Sequence, residues 1–341
     1  MQSLMIFIAA FLAWAPLTMQ TRFCGTTYPS KEALDAIYVS ALLEEAIQPA
    51  DGVSDGPDEA LWTDRPAVSV YFHVVDDFSE FQITDSHFWD QFLILRDFYT
   101  TVGIDLELKQ ILFYNYRDWS TGRLDQTRMI KHLRIGAFYT LNVFFVENIW
   151  DGGDDDTLGL TPLPQPDAQW GSDALLGDGV MLSIETLPGD SRASDEAYNM
   201  GRSLLHEVGH WFGLMHIFHD GCDPDFEFGG DKVLDTPPQP SSSEDCFDEG
   251  TTRQTCPDGF PRSMTGNLMD YQDDICTYGF TPGQIKRMHS TWILHRVGRP
   301  FGTENMPADP FAPKGNPARI LPPVFPELPF PPQRRHANIT T

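Results

Sequence analysis

The stretch "HEVGHWFGLMH" places three histidines and a glutamate in an order that suits a metal ion. His206 and His210 are four residues apart, so on an α-helix their imidazoles leave one face a turn apart and reach a common ion. Gly213 permits a backbone turn with positive φ that ends the helix. Three residues later His216 returns as a third ligand. Three neutral imidazoles leave Zn²⁺ a fourth position for water, the open arrangement of a catalytic centre. Glu207, beside His206, reaches that water without displacing it. The chemistry this spacing predicts is peptide-bond hydrolysis. Zinc acidifies the water and polarises the carbonyl, while Glu207 takes the proton and delivers it to the departing amine. The other histidines (73, 87, 132, 219, 289, 295 and 336) show no ligand spacing among themselves. His219 lies six residues after Gly213, where three are needed.

The chain has five cysteines. Cys222, Cys246, Cys256 and Cys276 cluster, and in an exported chain imply two disulfides with three connectivities that spacing does not distinguish. Cys24, in "TRFCGTTYP", is left over. Read by itself it is an inert free thiol or an intermolecular link.

Further on, "GNLMDYQDD" carries Met269 in a Gly/Asn/Asp-rich turn with Tyr271 two residues later. With the histidine helix, these residues resemble a metzincin, specifically the pappalysin family of secreted metalloendopeptidases. "TLNVFFV", "LGLTPLP", "DGVMLS", "YNMGRSLLHEVGHWFGL", "DKVLDTPPQ" and "GFTPGQIKRM" resemble family landmarks in the expected order, over about residues 65–290. The resemblance implies an α/β (α+β) catalytic domain of two lobes, with a twisted mixed five-stranded sheet above the cleft and a loop-rich, disulfide-stapled lobe below. It implies that Met269 forms an apolar floor under the metal, and that Tyr271 approaches the metal or hydrogen-bonds the oxyanion. The alternative for Tyr271 is a packed core tyrosine. It favours the pairs Cys222–Cys256 and Cys246–Cys276. It also matches Asp231 and Thr236, with Asp235 nearby, to a calcium-binding segment, for which hard oxygen ligands are suited. Asp273 and Asp274 follow the Met-turn where related enzymes wall the pocket for the residue after the cut, and a carboxylate there would favour Arg or Lys. "FCGTTYP" resembles the cysteine-switch segments that keep some metzincins latent by setting a thiolate on zinc, though Thr-Thr-Tyr stands between Gly25 and Pro29.

The elements that must hold these residues follow from periodicity. "AVSVYFHVV", "IDLELKQILFY" and "TLNVFFVENI" read as strands, and "LGLTPLP" and "DGVMLSIE" as two shorter ones. "HFWDQFLILRDFYTTVG" reads as a helix with Asp85 as cap and Gly103 as stop, and "RLDQTRMIKHLRIG" as a second. A long helix from about Asn199 to Met215 carries the histidines, and "TPGQIKRMHSTWILHRV" is a last helix capped by Thr281. "SKEALDAIYVSALLEEAI" is a helix in the preceding acidic segment. This order predicts a mixed α/β sheet.

At 341 residues with 41% apolar side chains, the chain is long enough for a sizeable core. The net charge of −26 and the lack of a basic patch exclude nucleic acid as a partner. "LMIFIAAFLAWA" suits a signal-peptide core and is too short to span a bilayer. The expected organisation is a signal peptide over 1–20, a pro-segment over 21–62 and a catalytic domain over 63–298, divided into lobes 63–216 and 217–298. A Pro-rich disordered tail follows over 299–341, with Asn338 as a glycosylation acceptor. The expectation is thus a secreted, zinc-dependent metalloendopeptidase made as a latent precursor, acting on proteins or peptides without stable membrane association. A catalytically silent protein of metzincin shape is the alternative, disfavoured because zinc binding alone does not need Glu207.

Overall fold

The computed structural model describes residues 23–26, 65–76, 83–150, 157–165, 169, 171–189, 196–222, 230–243, 246, 256, 266–297 and 319–321. The expected signal peptide, pro-segment helix and Asn338 lie outside them.

In chain order the elements are β1 (Phe23–Cys24), β2 (Ala67–Asp76), α1 (Asp85–Thr101), β3 (Asp105–Asn115), α2 (Arg117–Ser120) and α3 (Gln126–Leu133). Then come β4 (Thr140–Val146), β5 (Thr157–Leu160), α4 (Asp173–Leu176), β6 (Val180–Ser183) and α5 (Arg202–Trp211). Last are α6 (Pro282–Thr291), prolonged by a π-helical turn over Trp292–Arg296, and β7 (Arg319–Leu321).

The strands form one mixed sheet in the order β1-β5-β6-β4-β2-β3-β7. Strands β2, β3, β4 and β6 run parallel, and β5 is antiparallel to β6. These five make the expected sheet, and short strands from outside it occupy both edges. β1 pairs with β5 in parallel and β7 with β3 antiparallel. β7 corrects the expectation of a tail without regular structure. Arg319, Ile320 and Leu321 are a three-residue strand between prolines, too short for periodicity to reveal, and they pair with the free backbone groups of β3. Arg319 also bridges to Asp85 and lies over the Phe113 ring.

Both faces of the sheet are covered, which is why β4 is buried along its whole length. On one face Val70, Phe72, Val74, Val143 and Phe145 pack with Phe88, Phe92, Leu95 and Tyr99 of α1 and Leu204, Leu205 and Val208 of α5. On the other, Val75, Phe144 and Met181 pack with Trp119, Met129, Ile130 and Leu133. The cap of helix α1 lies one residue earlier than expected. Thr84 is the N-cap, and its N–H donates to His87 Nδ1 at 3.1 Å, while Gly103 ends the helix at φ +80°. The buried Tyr99 hydroxyl donates to Leu205 O at 2.9 Å, which fastens α1 to α5.

The lower lobe is built on α6, with Thr281 capping it by accepting from Gln284 N–H. Cys222 pairs with Cys256 and Cys246 with Cys276, at Cα–Cα separations of 5.6 and 5.5 Å. These are the pairs that the resemblance favours. Asp178 meets two guanidiniums, Arg296 at 2.7 Å and Arg134 at 3.2 Å, all three nearly inaccessible to solvent. Arg296 also donates to Trp211 O at 2.6 Å and so ties the end of α5 to the sheet.

Candidate active site

Helix α5 is shorter than expected at both ends because two glycines bound it, Gly201 at φ +78° and Gly213 at φ +87°. At Gly213 the left-handed turn is needed and a Cβ would meet the Thr291 side chain, so the chain can reverse here only with glycine. Gly213 N–H donates to His210 O at 2.8 Å, and the chain then brings His216 back beneath the helix.

The three imidazoles converge. Nε2 of His206 lies 3.1 Å from Nε2 of His210 and of His216, and the last two are 3.0 Å apart. Nitrogens bound to one tetrahedral Zn²⁺ at 2.0–2.1 Å would be about 3.3 Å apart, so the triad fits the ion. The opposite ring nitrogens are engaged: His206 Nδ1 with Leu268 O at 2.5 Å and His210 Nδ1 with Leu214 O at 2.7 Å. Donation from Nδ1 leaves the Nε2 lone pair free for a cation. Burial lowers the pKa of all three, that of His206 to about 4, which keeps the rings neutral.

Glu207 is 2% exposed and faces the same space. Burial raises its pKa to about 7, opposed by hydrogen bonds from Thr161 and Cys24. Met269 is fully buried, its N–H on Asn267 Oδ1 at 2.9 Å and its carbonyl accepting from Ile217. The Tyr271 ring centroid lies 4.9 Å from that of His216. Its hydroxyl donates to Cys24 O at 2.9 Å, and burial pushes the phenol upward, so it stays a neutral donor.

Cys24 lies with the histidines: its sulfur and one nitrogen of each of His206, His210 and His216 are all within 4.8 Å of one another. Burial, then the Glu207 charge, pushes the thiol well above its ordinary value, a preference that a bound cation would reverse. The residues after it lie along β5. Gly25 N–H donates to Gly159 O at 2.8 Å, and Thr26 Oγ1 donates to Thr161 O at 3.1 Å while accepting Thr161 N–H at 3.2 Å.

His219 stands outside the triad, with Nε2 3.9 Å from Asp220 Oδ1. Of the two acids after the Met-turn, Asp274 lines the cavity beside Glu207 and Asp273 does not. Asp274 Oδ2 accepts Met200 N–H at 2.8 Å and Arg202 N–H at 3.2 Å, so it also braces the start of α5. Asp231 is buried, with Oδ1 accepting from Val233 N–H at 3.1 Å and Oδ2 from Gln284 Nε2 at 3.3 Å. Thr236 Oγ1 is 3.4 Å from Thr281 Oγ1, and Asp235 accepts from Thr281 Oγ1 and Gly283 N–H at 2.7 and 2.8 Å. These contacts join the loop to α6. Among the described residues no cluster of three metal-ligating side chains forms around Asp231.

Sequence reasoning missed Thr161, whose hydroxyl donates to Glu207 Oε2 at 2.6 Å. A threonine within a predicted strand carries no signal that it will meet a glutamate 46 positions away.

Comparison with known proteins agrees with this geometry. Residues 187–292 match the family described as pregnancy-associated plasma protein-A, peptidase family M43. An extracellular metalloprotease of Podospora anserina is 35% identical over 281 residues, covering 80% of this chain and 89% of the relative. One from Pyricularia oryzae is 33% identical over 298 residues, covering 86% and 97%. Among solved structures, a promirolysin variant from Tannerella forsythia superposes with a TM-score of 0.54 at 21% identity, covering 80% of this chain and 95% of that one. At that identity the likeness speaks for the fold. The chain belongs to peptidase family M43, the pappalysins, and is a metalloprotease.

Proposed function

We propose that the chain is a secreted zinc-dependent endopeptidase made as a latent precursor. The observation that carries the zinc assignment is the mutual 3.0–3.1 Å spacing of three buried Nε2 atoms beside Glu207. When bound, Zn²⁺ supplies Lewis acidity and an acidified water. Glu207 takes a proton from the attacking water and hands it to the leaving nitrogen. Tyr271 donates its hydroxyl proton in a hydrogen bond to the oxygen that becomes negative. The in-plane groups of Gly159 and Thr161, now used by Gly25 and Thr26, align an extended substrate chain along β5.

Latency is the second part of the proposal. The Cys24 sulfur beside the triad and the pairing of β1 on β5 support a pro-segment that covers both the metal's fourth position and the substrate edge. Secretion draws support from the apolar run at 4–15 and from relatives named extracellular, and no described helix is long and apolar enough to cross a membrane. Asp274 in the cavity wall supports a preference for Arg or Lys after the cut. For calcium, the support is a loop holding Asp231, Asp235 and Thr236, in which a cation would favour the charged form of a carboxyl that burial raises to about 7. Calcium-dependent melting would test that site.

The decisive experiment is hydrolysis of a denatured protein by the processed enzyme, with metal analysis. One zinc per chain is expected, with activity abolished by a chelator and by Glu207→Ala. Processed protein free of zinc yet active, or a Glu207→Ala variant as active as wild type, would end the reading.

A further inference from the structure

The carboxylate of Glu207 rests against the polypeptide of the sheet edge at two points. Thr161, fully buried, donates Oγ1–H to Oε2 at 2.6 Å. Two residues earlier, Gly159 lies against Oε1, where a Cβ would overlap the carboxylate. Positions 159 and 161 share one side of an extended chain, since side chains alternate along it, so both address α5. The backbone groups of the same two residues point along the sheet plane and hold Gly25 and Thr26. Gly159 and Thr161 thus face an extended chain with their main chain and the acid/base with their side-chain positions.

We propose that Thr161 is a positioning residue for Glu207, and that Gly159 and Thr161 form a seat setting the carboxylate relative to the strand on which substrate lies. This rests on the reading of Glu207 as the acid/base. A glutamate has three rotatable side-chain bonds, and a carboxylate free to turn spends little time aimed at a proton in transit. A short, charge-assisted bond to Oε2 holds the carboxylate plane and leaves Oε1 as the base. The missing side chain at 159 lets the carboxylate come close enough to make that bond. The cost of losing it falls on the chemical step and not on substrate association.

The test uses processed, zinc-loaded enzyme and a peptide substrate. Thr161→Val keeps shape and removes the donor. It should lower kcat about tenfold to a hundredfold, the worth of one buried hydrogen bond to a charged group, with KM, zinc content and melting temperature near wild type. Thr161→Ser should restore most of kcat. Gly159→Ala should lower kcat while retaining zinc. If the valine variant does not accumulate folded, Thr161→Ala removes the same donor and is read the same way. A donor-less variant with wild-type kcat, a loss confined to KM, or equal losses in the serine and valine variants would overturn the proposal. Glu207→Ala run alongside separates the two failures. If it is dead while the donor-less variant is normal, only the role of Thr161 falls; if it is active, the acid/base reading falls.

Discussion

The hydroxyl of Tyr271 donates to the carbonyl oxygen of Cys24 at 2.9 Å, joining the Met-turn to a segment 247 positions away in the chain. That acceptor is a peptide carbonyl held next to three converging imidazoles. A scissile bond would present the same kind of oxygen there. Tyr271→Phe should therefore lower kcat about tenfold to a hundredfold with little change in KM, somewhat less than a rigid backbone donor because the phenol can move. Steady-state kinetics on a peptide, with zinc content measured in parallel, checks it. An unchanged kcat would reduce Tyr271 to a packing residue.

Cys24 is the one free cysteine, and its sulfur lies with the three histidines. Replacing it by serine removes the soft ligand while keeping the pairing of Gly25 and Thr26 with β5. The uncleaved Cys24→Ser precursor should hydrolyse a peptide without processing, and a chelator should stop it. A precursor that stays silent would show that occupation of the sheet edge alone maintains latency.

His73 stacks on Phe144 with centroids 4.6 Å apart, and its Nε2–H donates to Asn142 Oδ1 at 3.0 Å. Burial lowers its pKa from 6.5 to about 4. The unfolded chain binds a proton at about pH 6.5, which the folded chain refuses until about pH 4. Stability present above pH 6.5 is therefore lost as pH falls through that window, by roughly 3 kcal/mol for a shift of this size. His73→Gln should flatten the slope of unfolding free energy against pH between 6.5 and 4. Denaturant melts at several pH values read this directly, and an unaltered slope would refute it.

Asp178 holds the guanidiniums of Arg134 and Arg296 together in the interior. Asp178→Ala leaves two like charges without their counter-ion and should cost about 3–5 kcal/mol of stability. Urea denaturation of the zinc-loaded protein measures it. A loss well below that range would mean that solvent reaches the pair.

The helix that carries His206 and His210 was legible because its logic is local. A four-residue interval and a glycine three before the last histidine fix ring directions through helix geometry and one turn, whatever surrounds them. The five principal strands and the helices α1, α3, α5 and α6 were legible for the same reason, as was the class of sheet they build. Boundaries were less so. Thr84 and not Asp85 caps α1, and Gly201 starts α5 later than apolar spacing suggested, since caps depend on dihedral angles that composition does not report. Spacing left three cysteine connectivities open, and the observed pairing follows from which loops of the lower lobe meet. Tertiary structure alone brought Thr161 to Glu207, the Tyr271 hydroxyl to the Cys24 carbonyl and a tail strand to β3. Each joins residues far apart in the chain, and such contacts arise from the order of strands in the sheet, which no short window of residues encodes.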